Sequence, residues 1–197
     1  MTIYDLKPAF QNLLRPIVAA LAQAGVTPNQ VTFVAMALSL IVGASIAWSR
    51  GAVGVLYAVP VFLFVRMALN AIDGMLAKEH DMISDAGAVL NEMGDVISDA
   101  GLYLPLALIA GVDAVGAVLF VVVGIFTEMT GILGAALHKE RRYDGPMGKS
   151  DRAFVIGSLC LLWAFGVTPG LWSDMVLYAG TILGILTVIN RWRGALS

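Results

Sequence analysis

The chain opens with an amphipathic stretch and continues as six apolar runs separated by short polar breaks. From Ile3 to Ala24, Phe10, Leu13, Leu14, Ile17 and Leu21 recur at helical spacing on one face, with Lys7 and Arg15 beside them. That is the pattern of a helix lying along a membrane surface. Ala22-Gln23-Ala24 imitates a leader-cleavage site, but the apolar run before it is short, begins at Pro16 and follows both Asp5 and Arg15, so the interfacial reading is preferred. Six later segments, about 30–50, 53–79, 87–111, 113–138, 150–168 and 170–191, reach the ~20 residues that cross ~30 Å of hydrocarbon. Breaks at Gly51, at Gly111 to Asp113 and at Thr168-Pro169-Gly170 fall on one side, those at Asp81 to Asp85 and at Arg141 to Gly148 on the other. The expectation is an all-α membrane protein, with an N-terminal interfacial amphipathic helix over 1–28 and a domain of six transmembrane helices over 29–197.

Composition agrees with lipid as the solvent. The chain is 59% hydrophobic and 13% charged, against about 25% charged in an ordinary soluble domain, and its mean hydropathy is +0.85. A net charge of −2 offers no basic field for nucleic acid. Charge placement is more informative. Lys7, Arg15, Lys78, Lys139, Arg141, Arg142, Lys149, Arg152, Arg191 and Arg193 all fall on one side of the expected spans; Arg50 alone falls opposite, and Arg66 lies within a span. The positive-inside rule then makes both termini cytoplasmic. Cys160, the single cysteine, lies in an apolar run, where a thiol simply packs.

Polar residues gather at one depth. The second span ends Arg66-Met-Ala-Leu-Asn70-Ala-Ile-Asp73-Gly74-Met-Leu-Ala77-Lys78, and the third begins Gly87-Ala-Val-Leu-Asn91-Glu92-Met-Gly-Asp95-Val-Ile-Ser98-Asp99. Asp73 is only five residues, ~7.5 Å of helix, from Lys78. Positions 70 and 73 share a face, as do 87, 91, 95 and 99, and the short loop at 80–86 makes the two helices antiparallel neighbours. One acid in a span can snorkel or pair; several converging from adjacent helices point to function, because each costs a few kcal/mol to insert. Oxygen ligands without His or Cys suit a hard cation such as Mg²⁺ or Mn²⁺, and a divalent ion in turn suggests phosphate. Gly74 and Gly87 suit either close approach of a bulky anion or helix packing.

These residues resemble a known family. The CDP-alcohol phosphotransferases carry Asp-x2-Asp-Gly-x2-Ala-Arg, eight or more residues, then Gly-x3-Asp-x3-Asp across their second and third membrane helices. The chain has Asn70-x2-Asp73-Gly74-x2-Ala77-Lys78, eight residues, then Gly87-x3-Asn91-x3-Asp95. Spacing agrees throughout, and identity departs at Asn70, Lys78 and Asn91. Thr27-Pro28-Asn29-Gln30-Val31-Thr32 also looks like the Pro-Asn-x-x-Thr segment that leads into the family's first span, although alone it suits an ordinary turn and helix cap.

The resemblance implies an enzyme of phospholipid biosynthesis that takes a phosphatidyl group from a CDP-linked lipid, most often CDP-diacylglycerol, passes it to an alcohol at the cytoplasmic interface and releases CMP. It implies a CDP-lipid site at Asn29, Thr32, Asn70, Asp73, Gly74, Ala77, Lys78 and Gly87. In the family the first three aspartates ligate a pair of metals on the pyrophosphate and the fourth is the base toward the acceptor hydroxyl. By position, Asp73 is the surviving metal carboxylate, Asn70 and Asn91 fill the other two ligand positions, and Asp95 is the catalytic base, counted with Asp99 among the candidate metal ligands. The two amides remove two negative charges, which Asp99 and Glu92 are placed to restore.

Further along, Glu128 is flanked by Thr127 and Thr130, and reads either as a partner for Arg66 or as part of an acceptor pocket. The loop from Arg141 to Arg152 resembles a Gly-Lys loop of the family, with Arg141, Lys149 and Arg152 as candidates to hold phosphate. Gly180 and Gly184 form the small-residue step on which two copies of a membrane helix can pack as a homodimer. A catalytically inactive member that binds CDP-lipid or scaffolds other lipid enzymes is the rival reading, motivated by the two asparagines. A small transporter fits less well, since no inverted repeat is visible and the acids lie near one face.

Overall fold

The computed structural model describes residues 3–138 and 140–196. Lys139 lies outside them, as does the side chain of Lys7, so the topology expectations placed on those two find no test there. The described residues form seven α-helices and no strand: α1 (Ile3–Gln23), α2 (Pro28–Ser49), α3 (Val53–Glu79), α4 (Asp85–Tyr103), α5 (Ala114–His138), α6 (Lys149–Ala164) and α7 (Leu171–Leu196).

Four of the six expected spans, α2, α3, α5 and α7, are long and apolar enough to cross a membrane. The other two fall short for different reasons. α4 carries Asp85, Glu92, Asp95 and Asp99, and stops at Tyr103 instead of running to 111. Pro105 follows, and a proline inside a helix removes a backbone donor and clashes one turn back, so the chain continues as a 3₁₀ turn over Leu104–Leu108. α6 has only 16 residues, about 24 Å of rise. It closes on Gly166 at φ 91°, with the Gly166 and Val167 amides donating to Trp163 and Leu162. This is a Schellman stop, which glycine makes without strain.

The chain divides into two compact units, one from Met1–Ser39 and Phe64–Ser98, the other from Leu40–Leu63 and Asp99–Ser197. In the first, Leu14 and Val18 of α1 pack with Val31 of α2 and with Ile72, Met75 and Leu76 of α3. Arg15 donates to Glu79 at 3.1 and 3.0 Å, a surface pair that fixes orientation more than it adds stability. The apolar side of α1 is thereby split. Leu14 turns inward, whereas Leu13 and Ile17 remain 72% and 50% exposed. α1 ends on Gly25 at φ 75°, with Gly25 and Val26 donating back to Ala22 and Leu21. α2 then starts with a reciprocal cap: the Gln30 amide donates to Thr27 Oγ1 at 3.3 Å, and the Thr27 amide to Gln30 Oε1 at 2.9 Å, with Pro28 in the first helical position.

The second unit is built around Ile46, Leu56, Leu102, Tyr103, Leu106, Phe120, Ile156, Cys160 and Leu177. Its α5 and α7 pack along one another. The Gly180 and Gly184 step faces this contact, where added Cβ atoms would meet Phe120 and Val123 of α5. Those glycines therefore serve packing within the chain rather than the self-association expected of them. In the same unit a Cβ on Gly43 would fall on the carbonyl oxygen of Gly101, so the two backbones touch. Gly43→Ala should accordingly force α2 off α4 and cost about 1–3 kcal/mol, read as a lower thermal midpoint in detergent. An unchanged midpoint would mean the backbones are not in contact.

Candidate active site

In the first unit, α3 presents Arg66, Asn70 and Asp73 at steps of four and three, one helix face, and α4 presents Gly87, Asn91 and Asp95 at steps of four. Asp73 is 5% exposed, and its Oδ2 accepts the Thr32 hydroxyl at 2.8 Å. The same hydroxyl lies 3.1 Å from the Pro28 carbonyl. With one proton to give, it favours the closer and charged acceptor. Thr32, expected among the CDP-lipid contacts, thus also positions the central carboxylate.

Asp95 is bracketed by donors. Asn70 Nδ2 donates to its Oδ1 at 3.4 Å, while Arg66 Nη2 donates to its backbone carbonyl at 3.3 Å and stands 3.7 Å from Oδ1. Arg66, offered by sequence as a partner for Glu128, meets Asp95 instead. Its spacing of four from Asn70 was the available signal, because i and i+4 on a helix are neighbours. Asn91 and Glu92 are half-buried on α4, Ala77 is half-buried on α3, and Lys78 is exposed.

The two motif glycines separate in role. A Cβ on Gly74 would have nothing within 4 Å, so the helix surface there is open. A Cβ on Gly87 would stand 2.8 Å from Asn29 Oδ1 and 2.9 Å from Ser84 Oγ. Gly87 is therefore needed for the approach of Asn29, and its amide donates to Ser84 Oγ at 3.0 Å to cap α4. Asn29 and Gly87, chosen separately for CDP-lipid binding, lie against each other.

Among the described residues, no three His, Cys, Asp or Glu side chains gather as a metal-binding group. The oxygens of Asp73, Asn70, Asn91 and Asp95 are hard donors of the kind Mg²⁺ and Mn²⁺ take. With few carboxylates among them, they fit one ion completed by substrate phosphate and do not fit a pair of ions held by protein alone.

The second unit holds a different cluster. Arg152, 2% exposed, donates to Asp99 Oδ2 at 2.9 Å, Glu128 Oε1 at 2.9 Å and Thr127 Oγ1 at 2.7 Å. Arg141 donates to the other oxygen of Glu128. Arg191 donates to the Thr127 carbonyl and stands 3.9 Å from Glu128. Asp99, expected as a supplementary metal ligand, is thus the partner of Arg152. Arg191 was not anticipated, its place near the chain end reading only as topology. The loop before α6 is clamped: Arg142 threads between Gly134 and Gly194, where added Cβ atoms would strike it, and the Met147 amide donates to Thr187 Oγ1 at 2.9 Å. Lys149 is half-buried at the start of α6.

The family model of the CDP-alcohol phosphatidyltransferases matches residues 25–190. The chain belongs to that family. As a CDP-alcohol phosphatidyltransferase it is a transferase of substituted phosphate groups that moves a phosphatidyl group from a CDP-lipid. It is 41% identical over 196 residues to the Escherichia coli inner membrane protein YnbA, covering all of this chain and 97% of the relative. With its four apolar helices, it is an integral membrane protein. An archaetidylinositol phosphate synthase of Pyrococcus horikoshii is 30% identical over 104 residues, 52% of each chain. The fold matches the Mycobacterium tuberculosis phosphatidylinositol phosphate synthase with CDP-DAG bound, at TM-score 0.77, 17% identity and 92% coverage of both chains. The same enzyme with manganese and citrate gives TM-score 0.77 at 18% identity, covering 92% of this chain and 88% of that one.

Proposed function

We propose that this transferase uses CDP-diacylglycerol and an alcohol that itself carries an anionic group, with Asp95 as base, and works at the cytoplasmic face of a membrane crossed by α2, α3, α5 and α7, with the shorter α4 and α6 completing a six-helix domain and α1 along the surface. The observation that carries the reading is the Asp73–Thr32 and Asp95–Asn70 pairing, which holds two carboxylates on adjacent helices at the family's spacing. The acceptor oxygen forms a bond to the phosphatidyl phosphorus as the bridging oxygen to CMP leaves, and the hydroxyl proton passes to Asp95. Asp73, with the amides of Asn70 and Asn91, would hold a divalent ion, whose contribution when bound is to neutralise the pyrophosphate. Mg²⁺ and Mn²⁺ both suit these oxygens, and the mycobacterial relative has been solved with manganese. Gly74, with no atom near its missing side chain, leaves room for the nucleotide lipid beside Ala77 and Lys78.

The charge balance within the second unit, three guanidiniums against two carboxylates with Lys149 beside them in sequence, is of the sign that an acceptor carrying phosphate needs. The surface placement of α1 is supported by Leu13 and Ile17, exposed on either side of Arg15. The rival reading, an inactive lipid-binding member, draws on Asn70 and Asn91 alone.

The deciding experiment supplies the purified protein in nanodiscs with CDP-diacylglycerol and a panel of alcohols, scoring CMP and new lipids by mass spectrometry. Glycerol phosphate and inositol phosphate should outperform glycerol, inositol and serine. No CMP with any acceptor would favour the inactive reading. Within the active site, Asp73→Asn should weaken binding of both Mn²⁺ and CDP-lipid, since it removes the only charge at the three ligand positions. An unchanged titration would take Asp73 out of the ligand set.

A further inference from the structure

The ligand faces of α3 and α4 combine two carboxylates, Asp73 and Asp95, with one guanidinium, Arg66, and two neutral amides, Asn70 and Asn91. These five side chains therefore carry one net negative charge before any ligand arrives. Arg66 is 3% exposed, and it holds Asp95 by a bond to the backbone carbonyl at 3.3 Å and by a guanidinium 3.7 Å from Oδ1. A buried guanidinium at that distance occupies ground next to Asp95 that a second cation would need. Glu92 and Asp99 are the other carboxylates within about one turn of Asp95 on α4; Glu92 is half-buried, and Asp99 is engaged by Arg152 in the second unit.

We propose that Arg66 does the work of a second metal ion, making this a one-cation centre: Asp73 and the two amides take a single divalent ion, and the guanidinium supplies the remaining positive charge toward the pyrophosphate. Charge favours this count before substrate arrives. One divalent ion turns the net charge of the five side chains to +1, whereas a second would leave +3, an uncompensated charge beside a guanidinium that is itself only 3% exposed. Amide oxygens can ligate a hard cation but cannot help to neutralise it.

The inference rests on the transferase reading only for the pyrophosphate, so the test begins without substrate. Full-length protein in nanodiscs of phosphatidylcholine is titrated with Mn²⁺, and bound ions are counted by electron paramagnetic resonance and calorimetry. The unmodified protein should bind no more than one Mn²⁺ per chain, and CDP should tighten that ion by linkage. Removing the cation in Arg66→Gln should tighten Mn²⁺ by on the order of tenfold, whereas Arg66→Lys should not. Asn70→Asp with Asn91→Asp makes the same side chains three-negative and should admit a second ion with Arg66 in place. Two ions on the unmodified, substrate-free protein would overturn the proposal. So would a folded Arg66→Gln variant whose Mn²⁺ affinity is unchanged or weaker, and if that variant does not fold, a double-aspartate protein that still takes one ion would do so. A protein that forms no CMP yet counts one ion would sink the transferase reading and leave this one standing.

Discussion

Asp95→Asn should lower CMP release from CDP-diacylglycerol by about 10²- to 10⁴-fold, the usual worth of a positioned general base. The substitution keeps size and shape. Arg66 can still donate to the backbone carbonyl of residue 95, and Asn70 can still donate to the amide oxygen that replaces Oδ1. What disappears is the capacity to take up the acceptor's proton as its oxygen bonds to phosphorus. CDP-lipid binding should be nearly unchanged, because Asp73 and its Thr32 partner are untouched. The informative pair of measurements is therefore a single-turnover rate beside a CDP-lipid titration. Near-normal turnover would remove Asp95 from the chemistry, and a lost rate accompanied by lost binding would make it a ligand to the donor rather than a base.

The largest effect on stability is expected from Arg152→Leu, at about 3–5 kcal/mol, the cost of stranding a buried charge by deleting its partner. Arg152 meets both Asp99 and Glu128, each at 2.9 Å, and all three are at most 6% exposed. Glu128 would retain Arg141 and Arg191. The penalty should fall on Asp99 as well as Glu128, and Arg152→Leu combined with Asp99→Leu should recover part of it. Chemical unfolding in mixed micelles measures both variants. If the single variant unfolds within about 1 kcal/mol of the parent, as surface ion pairs do, the cluster does not hold the second unit together. If the double variant is no better than the single, Asp99 is not where the cost lies.

Much of the fold could be read before any coordinates because lipid imposes a coarse code. Runs of ~20 apolar residues and glycine breaks delivered α2, α3, α5 and α7 to within a few residues at most ends. The code failed where a local device overrode hydropathy: Pro105 ended α4 early, and Gly166 closed α6 after 16 residues. The motif spacing likewise placed Asn70, Asp73, Asn91 and Asp95 on two helix faces, because steps of three and four have a fixed meaning on a helix. Hydrogen-bond choices were not legible in the same way. Arg66 had several carboxylates to choose among, and only the packing of α3 beside α4 selects Asp95. Gly74 and Gly87 read alike in the motif, yet one faces open space and the other receives Asn29, a difference that depends on where the start of α2 lies. Asp99, one turn beyond Asp95, looked like a spare ligand until Arg152, 53 positions away, arrived from α6.

The corner between α1 and α2 has a kinetic consequence. Its Gly25 and Val26 amides are bonded to Ala22 and Leu21, and its Thr27 and Gln30 amides to one another's side chains. Pro28 has no amide hydrogen. Although this stretch counts as a loop, its protons should exchange with solvent on the slow timescale of the helices beside it. The corner then behaves as a rigid elbow. Thr32 sits little more than one helical turn past it, so the hydroxyl that holds Asp73 is anchored to α1 through a connection with almost no slack, and thermal motion of α1 reaches the central carboxylate instead of dying away in a flexible linker.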